Sequence, residues 1–304
     1  MLENKKYIRY TWFLLIMVFL VIIAGGVVRM TQSGMGCPDW PKCFGRWIPP
    51  TDASQLPPDF EKYLKAQDID HSFNVYHTWI EYINRLLGAL LGVFIFIHFI
   101  WSYIKFRKIN KQIVWLSFLL LITVGFQGWL GKKVVDANLA VVKITTHMLV
   151  ALIIAAIPLL IIYKLKARER IVNGFLKTVS TSMVGIILIQ IVLGTQVREQ
   201  IDEISKSLNY SQRELWIARL DNMFIIHRSF SWLIAAGCLL LFWKARVYTS
   251  LRGISFFIIS VVIATILLGV IMAWFNIPAL AQPLHLLFAS ILVLAVFTLR
   301  LKLK

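Results

Sequence analysis

NMFIIHRSFSWLIAAGCLLLFW, residues 222–243, is an apolar run long enough to cross a bilayer, for which about 20 residues suffice. His227 and Arg228 stand side by side within its first two turns. Ionisable side chains are costly in hydrocarbon, so the pair points to a site inside a helix bundle. The plain alternative is a histidine that only hydrogen-bonds a neighbouring helix. Residues elsewhere in the chain at the same depth decide between the two.

Composition agrees with a membrane span. Of 304 residues 59% are hydrophobic and only 15% charged, too few charges for a soluble surface of this size. The net charge of +17 raises the question of nucleic acid. The basic residues fall in short runs between apolar segments, however, which the positive-inside rule explains without a nucleic-acid partner.

Outward from residues 222–243 the chain shows eight such spans, near 11–30, 78–101, 113–131, 144–163, 178–197, 222–243, 254–274 and 284–299. None alternates in polarity as a barrel strand would, so the expected class is an all-α integral membrane protein. The first span follows Lys5, Lys6 and Arg9 and is too long in its apolar part for a signal peptide, so it reads as a retained helix.

Segments 1–10, 102–112, 164–177, 244–253 and 300–304 carry 18 Lys and Arg but only two acids, Glu3 and Glu169. These segments, and with them both termini, are expected in the cytoplasm, which puts the protein in the plasma membrane as a multi-pass chain. The other connections, 31–77, 132–143, 198–221 and 275–283, hold Asp39, Asp52, Asp59, Asp68, Asp70, Asp202 and Glu203 and are expected outside. The first of them is long and rich in proline and aromatics, and is expected to fold over the outer mouth of the bundle.

On this topology spans two, four, six and eight all enter from outside. Three carry a histidine within about two turns of entry: His147, His227 and His285. Span two carries Asn84 instead, with Glu81 one turn above and Arg85 after it, so Asn84-Arg85 echoes His227-Arg228. The chain therefore reads as two pseudo-symmetric four-helix bundles, residues 1–165 and 176–304, both the same way up. The words QGWLG (127–131) and QIVLG (190–194), and the pairing of Gly26 to Arg29 with Gly194 to Arg198, are weaker signs of the same duplication.

Paired histidines on facing helices suit a haem iron between two imidazoles in an apolar jacket, and His227 with His285 makes one pair. Zinc would need three or four close ligands, and the nearest thiol, Cys238, lies about three turns deeper and reads as a core residue. Six histidines scattered along the chain are too dispersed for a di-iron site. Of the rest, His71 is expected in a loop and His98 at the cytoplasmic end of span two, solvated or interfacial.

The outer motif GGVVRMTQSGMGCPDWPKC, the Glu81-Tyr82-Ile83-Asn84-Arg85 segment, the His-Arg pair and the two other intramembrane histidines together resemble the haem A synthase family, over essentially the whole chain. The resemblance implies an enzyme that oxidises the C8 methyl of haem O to a formyl group, supplying haem A for cytochrome oxidase. It implies a haem b cofactor in the C-terminal half on His227 and His285, and the substrate haem in the N-terminal half with His147 as one ligand. Asn84 departs from the family, which commonly has a second histidine there. The substrate iron is then held by His147 alone, or His77, about 10 Å nearer the surface on the same helical face, serves instead, or the activity differs.

Glu81 is the candidate proton-handling residue, with an ion pair to Arg85 as the structural alternative. Arg85 and Arg228 are candidates for haem propionates, against snorkelling or interhelical pairing. For Cys37 and Cys43, an outer location favours a disulfide, with free thiols or a redox-active pair as alternatives that spacing does not separate. Haem O, too apolar to cross water, is expected from the bilayer or directly from the haem O synthase, and the electron acceptor is not legible. A di-haem b-type electron-transfer protein and a haem carrier without chemistry on the macrocycle are the competing classes.

Overall fold

The computed structural model describes residues 3–64, 73–137, 139–166 and 170–304; Asp68, Asp70, His71 and Glu169 lie outside them. Eight long helices dominate the described residues: α1 Glu3–Met30, α2 Val75–Phe106, α3 Lys111–Asp136, α4 Val141–Leu165, α5 Gly174–Ser207, α6 Asn222–Ala245, α7 Thr249–Trp274 and α8 Ala281–Leu301. All eight are long and apolar enough to cross a membrane, and the protein is a multi-pass helical membrane protein. The apolar side chains left on the outside, among them Trp115, Trp232, Leu239, Phe256 and Leu267, are what a lipid-facing surface requires.

Helix starts follow local capping. The Asn74 carboxamide accepts from the amides of Tyr76 and His77, Asn173 from Leu176, and Asp221 from Met223. The Asp221 cap fixes where α6 begins and so places His227 in its second turn. Helices α2 and α5 run beyond the expected spans, to 32 and 34 residues. The extension of α5 to Ser207 converts the first half of the expected 198–221 loop into helix, along which Arg198 and Asp202 pair one turn apart at 2.7 Å.

The chain forms two compact units, Met1–Ile162 and Tyr163–Lys304. In the second, α5 packs on α6 and α8, and α7 packs on the same two, closing a ring in which α6 and α8 are diagonal. Ile187, Ile234, Cys238, Ile258 and Val296 are buried within this unit, and small hydroxyls such as Ser255 and Ser290 are buried among its helices. In the first unit α2 packs on both α1 and α3.

His98 is fully buried, contrary to the solvated or interfacial position expected of it. The first turns of α1 cover it: Tyr7 stacks on its ring at 4.7 Å and Thr11 Oγ1 lies 3.1 Å from Nε2. Aromatics at the start of α1 pack over the far end of α2, a long-range contact that no local pattern announces.

Candidate functional site

In the second unit His227 and His285 come from the diagonal helices α6 and α8 and meet inside the ring, with ring centres 6.5 Å apart and planes at 67°. Two imidazoles sharing one metal atom through bonds of about 2 Å place their ring centres roughly 6 Å apart. The observed separation therefore fits a single iron between them. His285 Nδ1 donates to the Thr265 carbonyl at 3.0 Å, which fixes the tautomer and leaves Nε2 with its lone pair for a ligand bond. His227 Nδ1 is buried without a protein partner among the described residues. No group of three or more His, Cys, Asp or Glu side chains fit to hold a bare metal ion occurs among the described residues, so the donor set suits a haem better than zinc.

His147, His227 and His285 each lean on a glycine of the preceding helix. A Cβ at Gly131 would stand 3.5 Å from His147 Cε1, one at Gly194 3.1 Å from His227 Cε1, and one at Gly269 3.4 Å from His285 Cε1. One turn before each glycine, the same helix is hydrogen-bonded to the histidine. Gln127 Nε2 donates to the His147 carbonyl at 2.9 Å, Gln190 Nε2 donates to the His227 carbonyl at 3.0 Å, and the Thr265 carbonyl accepts from the His285 ring.

The QGWLG and QIVLG words therefore do not mark equivalent helices of two halves. One lies on α3, third in its unit, and the other on α5, first in its unit. What repeats is the helix pair: an odd helix offers a bonding group and a glycine, and the next even helix brings a histidine against them. Residue types at 127, 190 and 265 carry no signal of this role until the pairing is seen.

The α1–α2 pair is the exception. Asn84 stands on α2 in place of a histidine, its Oδ1 buried without a protein partner among the described residues. At Gly25, four residues before Arg29 as Gly194 is before Arg198, a Cβ would meet nothing within 4 Å.

The first three turns of α2 are devoted to the long loop. Thr78 Oγ1 donates to the Gly36 carbonyl, Trp79 Nε1 to that of Pro50 and the Tyr82 hydroxyl to that of Trp47. Glu81 is buried, its Oε2 accepting from the Cys37 amide at 2.8 Å and its Oε1 paired with Arg85. All five guanidinium N–H groups of Arg85 are used: two on Glu81 Oε1 and one each on the carbonyls of Cys37, Asp39 and Lys42. Contact of Arg85 with a propionate would require some of these bonds to be released.

The loop is drawn in tightly. Gly36 runs so close to α2 that a Cβ there would fall 2.3 Å from the His77 carbonyl, a distance only glycine tolerates. Within the loop the sulfurs of Cys37 and Cys43 stand at bonding distance, 2.05 Å, and the Asp39 carboxylate accepts from the amides of Phe44 and Gly45. Arg228, by contrast, is exposed beside His227, with its guanidinium over the Phe224 ring at 5.8 Å. His77 sits in the first turn of α2, on the helix surface against which Gly36 packs.

The fold and these residues define a polytopic helical membrane protein in which diagonal helices bring imidazoles together at one point. A family model described as "Cytochrome oxidase assembly protein", COX15-CtaA, matches residues 8–297, and the chain belongs to that family. Its relatives include the haem A synthase of Flavobacterium johnsoniae, 25% identical with 96% of each chain covered. The haem A synthase of Sphingopyxis alaskensis is 26% identical over 86% of this chain and 82% of the other, and that of Flavobacterium psychrophilum 23% identical over 96% of each.

Proposed function

We propose that this protein is a haem A synthase: a membrane oxidoreductase that oxidises the C8 methyl of haem O to a formyl group, with a resident haem b between His227 and His285. The observation that carries the reading is the 6.5 Å separation of those two rings from diagonal helices, with His285 Nε2 left ready for a ligand by the Thr265 carbonyl. When bound, that haem supplies one-electron chemistry. The chain's own part is to hold the imidazoles in register, through Gln190 and Thr265, and to exclude water with an apolar jacket. Arg228, exposed one residue from His227, is the better placed of the two arginines for a propionate carboxylate.

Haem O is the substrate of the first unit, with His147 its iron ligand, and reaches the site from the bilayer or from the haem O synthase. Glu81 retains a proton-handling role only if its bonds to Arg85 and Cys37 open; in the folded site it anchors the loop. Cys37 and Cys43 form a structural disulfide in that loop, which lies outside the cell, while both termini face the cytoplasm of a cell whose plasma membrane holds the protein.

The test is to purify the protein from cells that make haem O and identify the extracted pigment by mass. Haem A or its hydroxylated precursor is expected beside haem B. Haem B alone, with haem O present in the cells, would sink the enzyme and favour an electron carrier.

A further inference from the structure

We propose that the iron of the substrate haem has one protein ligand, His147, and that the Asn84 carboxamide stands at its opposite face, where a small exogenous ligand binds and exchanges. This rests on the reading of the first unit as the substrate site, and it follows from comparing the two units residue by residue. In the second unit the second helix carries His227-Arg228 and the fourth His285; in the first, the second helix carries Asn84-Arg85 and the fourth His147. Both fourth-helix histidines lie against a glycine, Gly131 or Gly269, of the helix before, although His285 bonds that helix through its ring and His147 through its backbone carbonyl. The second-helix positions differ: His227 meets Gly194, whereas the place for a Cβ at Gly25 has nothing within 4 Å.

A neutral carboxamide does not replace an imidazole on iron, since carbonyl oxygen suits harder metals. It is well suited to a ligand that is itself small and polar, because it both accepts and donates hydrogen bonds. Asn84 Oδ1 is buried with no protein partner among the described residues, a state that is costly unless something else bonds it. The side chains one turn above and one residue beyond cannot take over ligation, because Glu81 and Arg85 are tied to each other and to the loop backbone. His77 lies two turns nearer the helix start, about 10 Å along the axis.

Carbon monoxide, added to the reduced purified protein carrying both haems, tests this. One CO is expected per protein, on the first-unit haem, while the His227–His285 haem keeps its spectrum. Asn84→His is expected to abolish CO binding and turn the oxidised first-unit haem from high-spin to low-spin. The unchanged spectrum of the other haem reports that the variant is folded. Asn84→Ala is expected to keep CO binding but shift the C–O stretching frequency, because the carboxamide contact is gone, and His77→Ala is expected to leave both readouts unchanged. Wild-type protein with two haems that binds no CO would overturn the inference while leaving the proposed function standing. Failure of the first unit to bind any haem would overturn both.

Discussion

Gly194, Gly269 and Gly25 occupy comparable places on their helices, yet what a side chain there would meet differs. An alanine Cβ would press on the His227 ring at 3.1 Å, touch the His285 ring at 3.4 Å, and meet nothing at Gly25. Gly194→Ala is therefore expected to displace the ring, perturb the haem b spectrum and destabilise by about 1–3 kcal/mol, with Gly269→Ala milder and Gly25→Ala silent. Thermal unfolding and visible spectra of the three purified variants check the order; equal effects at all three would break it. Glu81→Gln leaves the partly buried Arg85 cation without its counter-charge, a cost below the about 3–5 kcal/mol of a fully buried pair. The expected result is a lower melting temperature and a loop opened to protease. A variant that melts normally, keeps its loop closed and loses only turnover would instead make Glu81 catalytic.

At the scale of helices, the repeating device is an odd helix joined to the next even one by a single bond to the histidine or its backbone. Gln127→Ala and Gln190→Ala remove the bonds to the His147 and His227 carbonyls, each worth about 1 kcal/mol in a membrane interior. Gln190→Ala is expected to affect the haem b spectrum alone, and Gln127→Ala the substrate haem alone, as redox titration of the two haems would show. The long loop is the other element with its own logic. Its backbone carbonyls at Gly36, Cys37, Asp39, Lys42, Trp47 and Pro50 are received by α2 side chains, so these side chains tie it down on the helix. The periodicity of the sequence marks α2 as a span, but not that five side chains in its first three turns serve the loop.

For the whole molecule, the two compact units predict separable sites. The His227→Ala and His285→Ala double variant is expected to lose haem b and keep the haem that binds CO, as haem content and the reduced-plus-CO spectrum would report. Orientation rests on the charge bias alone, and reporter fusions or cysteine labelling at both termini and in 31–60 are expected to place the termini inside and the loop outside. A labelled, externally accessible terminus would reverse the assignment of every loop.

The number of spans, their approximate limits and the place of His147, His227 and His285 within two turns of a helix start were legible in the chain, because hydropathy and a rise of about 1.5 Å per residue are local properties. So was the oddity of Asn84, visible once the two His-Arg-like words were aligned. The order of helices around the second unit was not legible, and it is that order which makes α6 and α8 diagonal and brings two imidazoles within 6.5 Å. Nor were the glycine backing of each histidine, the burial of His98 under Tyr7 and the full commitment of Arg85 to the loop. These join residues far apart in the chain, and which of many apolar faces meet is settled only when side chains of particular shape pack against one another.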